Sequence, residues 1–400
     1  MISRIVIILA SAFCMPIYAS EARLSGLVKM GYDQNPLIKS YEQQVSSLED
    51  SATAMSTLSS PSVGVSELDR GMKTQYWTIS QKIEFPTKYG LRDDIESKKR
   101  DAKEKELANL KLKIRSKVVT LYYALFSVNK IISLTNDDLQ KVKEVSRIAE
   151  TKYAAGKGAM HDTMKAHVLQ TQIETDLISL RQEEEALQAR LRNYLNQPST
   201  FRVTKFPDKL PLPQVKKKIE SEPNSHLVEQ KQAEYETAKL QSKLAAWDYA
   251  PDFTLRYQDR LSGEPEDSRS IALEMSVPLW FWGKTAAQRS SDHQTAAKKY
   301  EVDAVIQETK TKADELFSEV KSQQELLGIM DTALIPQAQT SYSSTLDAYK
   351  ANKSNFLELL DSERSLLKVQ IAYYRMMTQY IENVTDLETT LGKTVSDLAI

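Results

Sequence analysis

Cysteine is almost absent from the sequence: Cys14 is the only one among 400 residues. It lies in an N-terminal segment with a basic residue, Arg4, an apolar run from Ile5 to Phe13, and small residues near Ala19. This arrangement is typical of a secretory signal, and we predict that residues 1–19 are cleaved off. An exported protein without cysteine forms no disulfide, so packing or assembly must supply its stability.

Cys14 leaves one alternative open, because cleavage directly before it would allow a lipid anchor at this position. A lipoprotein signal has a small residue at the preceding position, whereas Phe13 is bulky. Cleavage after Ala19 is therefore the favoured prediction, and lipidation of Cys14 is the alternative.

Glycine and proline are also scarce, with 11 and 13 residues, which favours long uninterrupted helices. The net charge of −1 gives no reason to expect a nucleic-acid partner, and a hydrophobic content of 41% excludes a disordered chain. Beyond the N-terminal signal, we find no apolar run of the roughly 18 residues that a membrane helix needs. If the exported chain crosses a membrane, we expect it to do so with strands.

Motifs of catalysis and cofactor binding are absent from the sequence. It has no Cys-x-x-Cys pair, no glycine-rich phosphate loop and no nucleophile elbow, and its four histidines are not at metal-ligand spacing. His161, next to Asp162, is better explained as a solvated residue than as a metal ligand. We therefore predict that the protein is not an enzyme and has no metal site and no cofactor.

Two segments, 61–85 and 251–278, show the period of two that indicates β-strands. In each segment a turn joins two alternating stretches, which predicts a β-hairpin with strands about long enough to cross a bilayer when tilted. The apolar side chains that we expect to face lipid are Trp77, Ile79, Ile83, Phe253, Leu255, Leu273 and Met275. The polar side chains that we expect to face a lumen are Ser80, Lys82, Thr254 and Glu274.

Long helical patterns follow both hairpins. Between Leu91 and Tyr153 there is no proline or glycine, and apolar residues recur every three or four positions, as in a coiled-coil seam. The polar stretch Thr135–Asp138 predicts a kink or interruption in this helix. A return helix runs to about Leu195, and Pro336 predicts a kink in the corresponding long helix of the second half.

The pattern occurs twice, so the chain contains an internal duplication. A helical stretch, Leu24 to about Leu58 in the first copy, precedes each hairpin, and a long helix, a tip and a return helix follow it. The predicted signal covers 1–19. The first repeat covers 20–197, with its hairpin at 61–85 and its tip at 153–162, and the second covers 223–392, with its hairpin at 251–278 and its tip at 349–361. A proline-rich connector at 198–222 joins the repeats, and a C-terminal tail follows at 393–400.

Each tip is predicted to be the turn of a helical hairpin. Gly156 and Asn352 lie where a helix C-terminus needs a residue that tolerates the left-handed conformation, and acidic residues begin the next helix. Glu358 and Asp361 are three positions apart and share one helix face. Two explanations remain open, since Asn355 and Glu358 can form a capping box while the acids can also line a lumen. For Asp361 we favour the lumen, because it lies too deep in the helix to cap it.

Four strands per chain cannot close a membrane barrel, because lipid does not tolerate an open sheet edge. Closed membrane barrels begin at about eight strands. The chain must therefore combine its strands with those of other copies. Two copies would give eight strands around a filled lumen, and three would give twelve strands with room for a channel.

The order of the elements, its repetition and three short motifs resemble a known family. The motifs are Ser-Val-Pro-Leu-Trp-Phe-Trp-Gly at 276–283, Tyr-Ala-Ala-Gly at 153–156 and Leu-Glu-Leu-Leu-Asp-Ser at 357–362. Over about Leu24 to Gly392 the chain resembles TolC-type outer-membrane efflux proteins. The resemblance implies a mainly α chain with membrane strands, in a homotrimer with a twelve-stranded β-barrel and a periplasmic α-helical tunnel. It also implies docking to a periplasmic adaptor and an inner-membrane pump.

The resemblance further implies roles for residues at the tips. The residues that match the tunnel entrance of the family are Asp162, Tyr349, Glu358 and Asp361. For Asp162 the favoured interpretation is an ordinary acidic residue at a helix start, and the entrance role is the alternative. We expect the adaptor to contact the tips near Gly156 and Asn352. The family has an arginine where this chain has Ser354, so the salt link that closes the entrance is in question unless Lys353 replaces it.

Two further points remain open. The aromatic cluster Trp280-Phe281-Trp282 is interpreted as a girdle at the membrane interface, with a packed strand–helix corner as the alternative. The favoured function is an outer-membrane exit duct for efflux or secretion, and the alternative is a periplasmic coiled-coil scaffold or adaptor that does not span the membrane. Two hairpins with one apolar face favour the duct. The sequence does not specify the cargo.

Overall fold

The computed structural model describes residues 23–69, 73–156, 158–215, 225–262, 269–277, 279–351 and 353–396. The predicted signal at 1–19, with Cys14, and the predicted tip residue Asn352 lie outside the described residues. We number helices and strands below in chain order.

Both predicted hairpins contain strands, and the strands join into one antiparallel sheet with the order β1-β2-β3-β4. The first hairpin consists of β1, Ser62–Asp69, and β2, Lys73–Ile83, and the second of β3, Phe253–Ser262, and β4, Ser270–Met275. The pairing of β2 with β3 joins the two halves of the sequence. The sheet is therefore built jointly by two segments that the duplication separates.

Long helices make up most of the remaining chain. They are α1, Leu24–Gln34; α2, Pro36–Ser56; α3, Pro86–Ala154; α4, Met160–Leu195; α5, His226–Ala246; α6, Phe281–Ile329; α7, Ile335–Lys350; and α8, Phe356–Leu391. With 69 residues, α3 is about 100 Å long at the usual rise of an α-helix. It packs against α2, α4, α5 and α8, so it is the element that most others share.

Three helix interruptions differ from those that the sequence predicts. The first helical stretch is divided, because Pro36 has no backbone N–H and Asn35 caps the new helix by accepting from the Leu37 N–H at 2.9 Å. The interruption predicted at Thr135–Asp138 is wrong, since α3 continues through these residues, and the Thr135 hydroxyl donates to the Ile131 carbonyl within the same helix at 2.8 Å. In the second half, a π-helical turn at Met330–Leu334 comes just before Pro336.

The central core forms where α3 meets α8 and the proline-rich connector. Val118, Leu125 and Tyr380 are among its fully buried residues, and Val203 and Leu210 of the connector join the same cluster. Tyr123 and Tyr380 donate their hydroxyl hydrogens to the carbonyls of connector prolines. The connector is thus held against the helices by apolar burial and by buried hydrogen bonds.

The C-terminal tail is tied to this region through Glu388. Its carboxylate pairs with the buried Arg115 and accepts from the Val395 and Ser396 N–H groups at 3.1 Å each. Ser396 in turn forms a β-bridge with Val215 of the connector. The connector and the tail, which the sequence presents as separate segments, therefore meet in space.

One helix in the described part of the chain, α3, is long and apolar enough to cross a membrane by composition. Its 18-residue window has a mean hydropathy of 1.4, so our expectation that no such run follows the signal is wrong. However, 67% of that window is buried within the protein, as is typical of a core helix.

A second core, the tip core, lies between the helices near the two tips. Its buried residues come from α3 (Leu139, Val142, Val145, Ala149), α4 (Ala166, Leu169, Ile173, Leu177), α7 (Tyr342, Tyr349) and α8 (Phe356, Leu359, Leu360, Leu366). Asp138 of α3, next to this core in sequence, is only 4% exposed. Burial raises the pKa of its carboxyl to about 6, and the positive charge of Lys141 only partly opposes this.

Asp138→Asn is expected to raise the thermal unfolding midpoint of the detergent-solubilised protein at pH 7.5. Folding raises the pKa of this carboxyl, so its contribution to stability is greatest below the pKa of the unfolded state. The protein loses that contribution as the pH rises through about 6. The difference between the two pKa values corresponds to at most about 3 kcal/mol at neutral pH. The midpoint is measured by circular dichroism at pH 4.5 and 7.5.

The control for Asp138→Asn is Asp137→Asn, because Asp137 is the exposed neighbour on the same helix. It should leave the midpoint nearly unchanged at both pH values. Equal midpoints for Asp138→Asn and the parent at pH 7.5 would show that the buried carboxylate costs nothing.

Candidate functional site

The strand register places all seven residues predicted to face lipid on one face of the sheet. In the cross-strand rows, Ile83 lies opposite Phe253 and Phe253 opposite Met275, while Leu255 lies opposite Leu273. Val63 and Val65 of β1 extend this apolar face, since they lie opposite Ile79 and Trp77. Most of the face is exposed in the single chain, as shown by Leu273 at 69% and Val63 at 71%.

The opposite face of the sheet is polar. Its side chains include Ser80, Lys82, Thr254 and Glu274, the four residues predicted to face a lumen. Arg256 forms an ion pair with Glu274 across β3 and β4 at 2.8 Å. The sheet therefore separates a mainly apolar surface, which also carries Gln81 and Asp259, from a charged one, as a strand period of two produces.

Among the described residues, β1 and β4 each pair with one neighbour only. Their outer edges carry backbone N–H and C=O groups that the chain itself does not pair. Such an edge is a template for another strand. A single chain thus presents two open edges beside an apolar face.

Charged and aromatic contacts fix the sheet to the helices. Lys88, at the start of α3, donates to the Asp252 carboxylate at 2.9 Å, and Lys82 of β2 lies 3.2 Å from the other oxygen of Asp252. Phe85 stacks on Trp247 with ring centroids 5.0 Å apart. These contacts join the first half of the sequence to the second at the base of the sheet.

The aromatic cluster Trp280-Phe281-Trp282 lies where the chain passes from β4 into α6. All three side chains are more than 60% exposed, and the Phe281 and Trp282 rings meet edge to face at 5.6 Å. The exposure of these side chains favours the interpretation as an interface girdle over that as a packed corner.

At the first tip, α3 ends at Ala154 and Gly156 adopts the left-handed conformation with φ of 71°. Gly158 leaves little room for a side chain, because an added Cβ would lie 3.0 Å from the Tyr153 nitrogen and 3.1 Å from the Lys152 Cβ. The short loop is therefore folded back onto the last turn of α3. Asp162 lies in the first turn of α4, with His161 3.1 Å from its carboxylate.

At the second tip, Glu358 is part of the helix cap. Asn355 caps α8 by accepting from the Glu358 N–H at 2.8 Å, and its amide donates to the Glu358 carboxylate at 3.0 Å. The hydroxyl of Ser354 donates to the other carboxylate oxygen at 2.6 Å. The backbone N–H of Lys353 donates to the Ala348 carbonyl at 2.8 Å. Ser354 thus orients Glu358 but provides no cation.

Asp361 has no hydrogen bond or ion pair with any described residue, and its side chain is exposed. It lines a groove of about 1060 Å³ between α4 and α8, together with Glu358 and Arg364. The groove also holds exposed apolar side chains, including Met160 and Met164. Glu358 therefore takes part in the helix cap and also lines the groove, whereas Asp361 lines the groove and has no part in the cap.

Two contacts link α4 and α8, and the second of them joins residues that line this groove. The Arg375 guanidinium forms a two-pronged ion pair with Glu183, in which one nitrogen–oxygen distance is 2.6 Å, and Arg364 donates to Gln172 at 3.4 Å. Both contacts join residues 192 positions apart, so they run between equivalent helices of the two repeats.

The two duplicated tip tyrosines lie in different surroundings. Tyr153 is 48% exposed, whereas Tyr349 is 5% exposed and its ring lies 6.1 Å from that of Phe356. Burial raises the pKa of the Tyr349 hydroxyl, and the negative charge of Asp162 adds to this. Asp162 and Tyr349, two of the predicted entrance residues, are therefore close enough to interact electrostatically.

Sequence reasoning missed Lys152, the residue that contacts Tyr349 most directly. Its ammonium donates to the Tyr349 carbonyl at 2.9 Å and lies 3.8 Å from the centroid of the Tyr349 ring. Lys152 directly precedes Tyr153 in the first tip. The sequence alone suggests a cation only beside Ser354 in the second tip, and Lys152 is therefore missed.

Comparison with known proteins agrees with this architecture. Residues 220–393 match the family model "Outer membrane efflux protein". The cobalt-zinc-cadmium resistance protein CzcC of Cupriavidus metallidurans is 21% identical over 349 residues, which cover 82% of this chain and 79% of CzcC. The resemblance predicted from the sequence is thus confirmed.

Solved structures share the fold over nearly the whole chain. The outer-membrane channel OprN has a TM-score of 0.81 at 15% identity, covering 93% of this chain and 90% of that one. The outer-membrane protein VceC from Vibrio cholerae has a TM-score of 0.75 at 15% identity, covering 94% of this chain and 100% of that one. The predicted fold class, long paired helices with four strands, is confirmed.

Proposed function

We propose that three copies of this chain form an outer-membrane exit duct, with a twelve-stranded barrel in the membrane and a helical tunnel in the periplasm. The premise is the similarity to outer membrane efflux proteins. The observation that carries the proposal is a four-stranded sheet with one exposed apolar face and two open edges.

Closure of the sheet explains both of these features. In lipid each unpaired backbone group is costly, so β1 of one copy must pair with β4 of the next until the ring closes. Three copies supply twelve strands, which leave a lumen, whereas two copies supply eight, whose interior side chains would fill it. The apolar face then contacts lipid and the face with Lys82 and Glu274 lines the lumen.

The long helices continue the ring below the barrel. With a length of about 100 Å, α3 carries the tips far from the sheet, into the periplasm. We propose that the tips near Gly156 and Asn352 dock on a periplasmic adaptor, which joins the duct to an inner-membrane pump. The protein acts as a passive conduit and is not an enzyme.

The runner-up function, a periplasmic scaffold that does not span the membrane, is disfavoured by the sheet. A soluble scaffold would expose Val63, Ile271 and Leu273, each about 70% exposed or more in the single chain. Contiguous apolar surface of this kind indicates an interaction with lipid or protein.

Cysteine scanning of the strands tests the membrane assignment. The chain without its signal has no cysteine of its own, so each introduced thiol is reported alone. Ile79→Cys and Leu273→Cys should resist a membrane-impermeant maleimide in intact outer membranes, while Ser80→Cys and Thr254→Cys should react, because alternate residues face lipid and water. All four should react in denatured protein. Equal labelling of both pairs in membranes would refute the spanning sheet.

The entrance is the second element of the proposal. In a three-fold ring, Glu358 and Asp361 of each copy would surround one axis and create a negative potential. Glu358 is already held by Asn355 and Ser354, so we assign the larger share of this effect to the unpaired Asp361.

Asp361→Asn is expected to lower cation selectivity and to weaken block by a trivalent cation in planar-bilayer recordings of the purified protein. The matched control is Asp347→Asn, since Asp347 is an exposed carboxylate near the same tip but outside the groove. It should leave both properties unchanged. If Asp361→Asn retains the selectivity and the block of the parent, Asp361 does not line the constriction.

The cargo is not fixed by these observations, because a duct receives its cargo from its pump. The relative CzcC is named as a cobalt-zinc-cadmium resistance protein. We therefore propose divalent transition-metal ions as the first cargo to test, by comparing the metal tolerance of cells with and without the gene for this chain.

A further inference from the structure

We propose that Glu363 binds a proton within the tip core, and that loss of this proton loosens the packing of α8 against α3 and α7. The inference goes beyond the proposed duct, because it concerns the interior of a single chain and requires no barrel. It assigns a role to a buried acidic residue that the proposed function leaves unused.

Glu363 occupies an apolar position of α8. On the buried face of this helix, Leu359, Leu360 and Leu366 all belong to the tip core. Glu363 lies between them at helical spacing and is 4% exposed. The helix packs there on α3 and α7. A carboxyl group therefore interrupts a row of leucine side chains in the interior of the protein.

Neither carboxyl oxygen of Glu363 has a hydrogen-bond partner among the described residues, and both are shielded from solvent. In the same part of the chain, no basic side chain forms an ion pair with this group. Burial of an isolated carboxylate is strongly unfavourable, and a group in such surroundings takes up a proton instead. The neutral acid is thus the form that this position accepts.

The hydroxyl of Ser146 on α3 is a second buried polar group without a partner in the described structure. Ser146 is 4% exposed, and Val145 and Ala149 beside it belong to the tip core. At the usual helical rise, Ser146 lies about 12 Å from the end of α3 and Glu363 about 11 Å from the start of α8. The two groups are therefore at the same level of the core, where a protonated carboxyl can donate to the hydroxyl.

The charged groups on α3 and α7 do not neutralise Glu363. Tyr342 of α7 lies about 12 Å from the end of its helix, at the same level. Burial raises the pKa of the Tyr342 hydroxyl, and the negative charges of Asp138 and Glu144 raise it further. The ammonium of Lys141 lies 5.4 Å from the centroid of the Tyr342 ring. Two acids, one phenol and one lysine thus surround this level, and the lysine is placed over the ring.

The bases of α4 and α8 near this level are also engaged elsewhere. Arg364, the next residue of α8, donates to Gln172 of α4 at 3.4 Å. His167 of α4 lies 3.3 Å from the Glu150 carboxylate at an exposed position. Neither base therefore supplies a counter-charge to Glu363.

The proton couples the packing of this region to pH. The neutral acid fits the core, whereas the carboxylate must reach water, so ionisation favours a loosened state. The packed state is then favoured at low pH and loses this advantage as the pH rises. One coupled proton changes the opening equilibrium by at most about tenfold per pH unit. In the proposed duct, the end that docks on the adaptor would respond to the pH of the periplasm.

Hydrogen exchange of the detergent-solubilised protein between pH 6 and 9 tests this coupling. All proteins carry Asp138→Asn, which removes the other buried carboxyl of the region. After correction for the chemical exchange rate, peptides that cover 356–370 should lose protection with rising pH, by up to about tenfold per pH unit. Glu363→Gln, which is uncharged at every pH, should abolish this dependence. Asp347→Asn removes an exposed carboxylate of α7 and should retain it.

Infrared spectroscopy of the same proteins reports the proton itself. At pH 7 the Asp138→Asn protein should show the carbonyl band of a protonated carboxyl, and Glu363→Gln should remove it. Glu363→Met, with an apolar side chain of similar length, should remove the same band and serves if the glutamine variant does not fold. Ser146→Ala should shift the band, because it removes the hydroxyl that accepts from the acid.

Three results would overturn the proposal. They are a spectrum without this band, a pH dependence of exchange that Glu363→Gln retains, and protection that is lost when EDTA removes divalent cations at constant pH. In the last case Glu363 would hold a metal ion in place of a proton. Both measurements read the interior of one chain, so a protein that forms no channel would count against the duct and leave this test intact.

Discussion

The structure depends on one constraint, the need of backbone N–H and C=O groups to find partners where no water reaches them. The chain satisfies this need within its helices and within β2 and β3, but no other strand in the described part of the chain pairs with the outer edges of β1 and β4. The exposed apolar face beside those edges makes the isolated chain unsuited to water. Assembly around a closed ring, as proposed above, would remove both defects together, so the proposed trimer, barrel and membrane location would all follow from a single requirement.

The duplication gives the chain two matching halves. The halves differ in the contacts of their tips, which are the proposed entrance of the duct. Tyr153 and Tyr349 occupy equivalent positions, yet the first is exposed and the second is buried against Phe356 beneath Lys152. Acidic residues follow both tips, but only Glu358 is held by an asparagine cap and a serine hydroxyl. A strictly symmetric pair of hairpins would present the same contact twice. In this chain the Lys152–Tyr349 contact is formed at the second tip only among the described residues.

The sequence predicts those features that repeat with a short period. The alternation in 61–85 and 251–278 predicts both the strands and their apolar face, and the seam after Leu91 predicts α3. Features made by contacts between distant segments escape this reasoning. The interruption predicted at Thr135–Asp138 is absent because burial of Thr135 and Asp138 in tertiary contacts outweighs their local polarity. The pairing of Ser396 with Val215, and of Lys152 with Tyr349, joins residues more than 180 positions apart, and no local pattern marks either contact.

The central claim is that strands from three chains close one barrel, and the mass of the assembled protein tests it most directly. Native mass spectrometry of the detergent-extracted protein, released from its micelle, reports the number of chains without assuming a shape. The account predicts three chains per particle, because three sheets of four strands give a barrel with an open lumen. A particle of one or two chains, stable under the same conditions, would contradict the twelve-stranded barrel and the duct that is built on it.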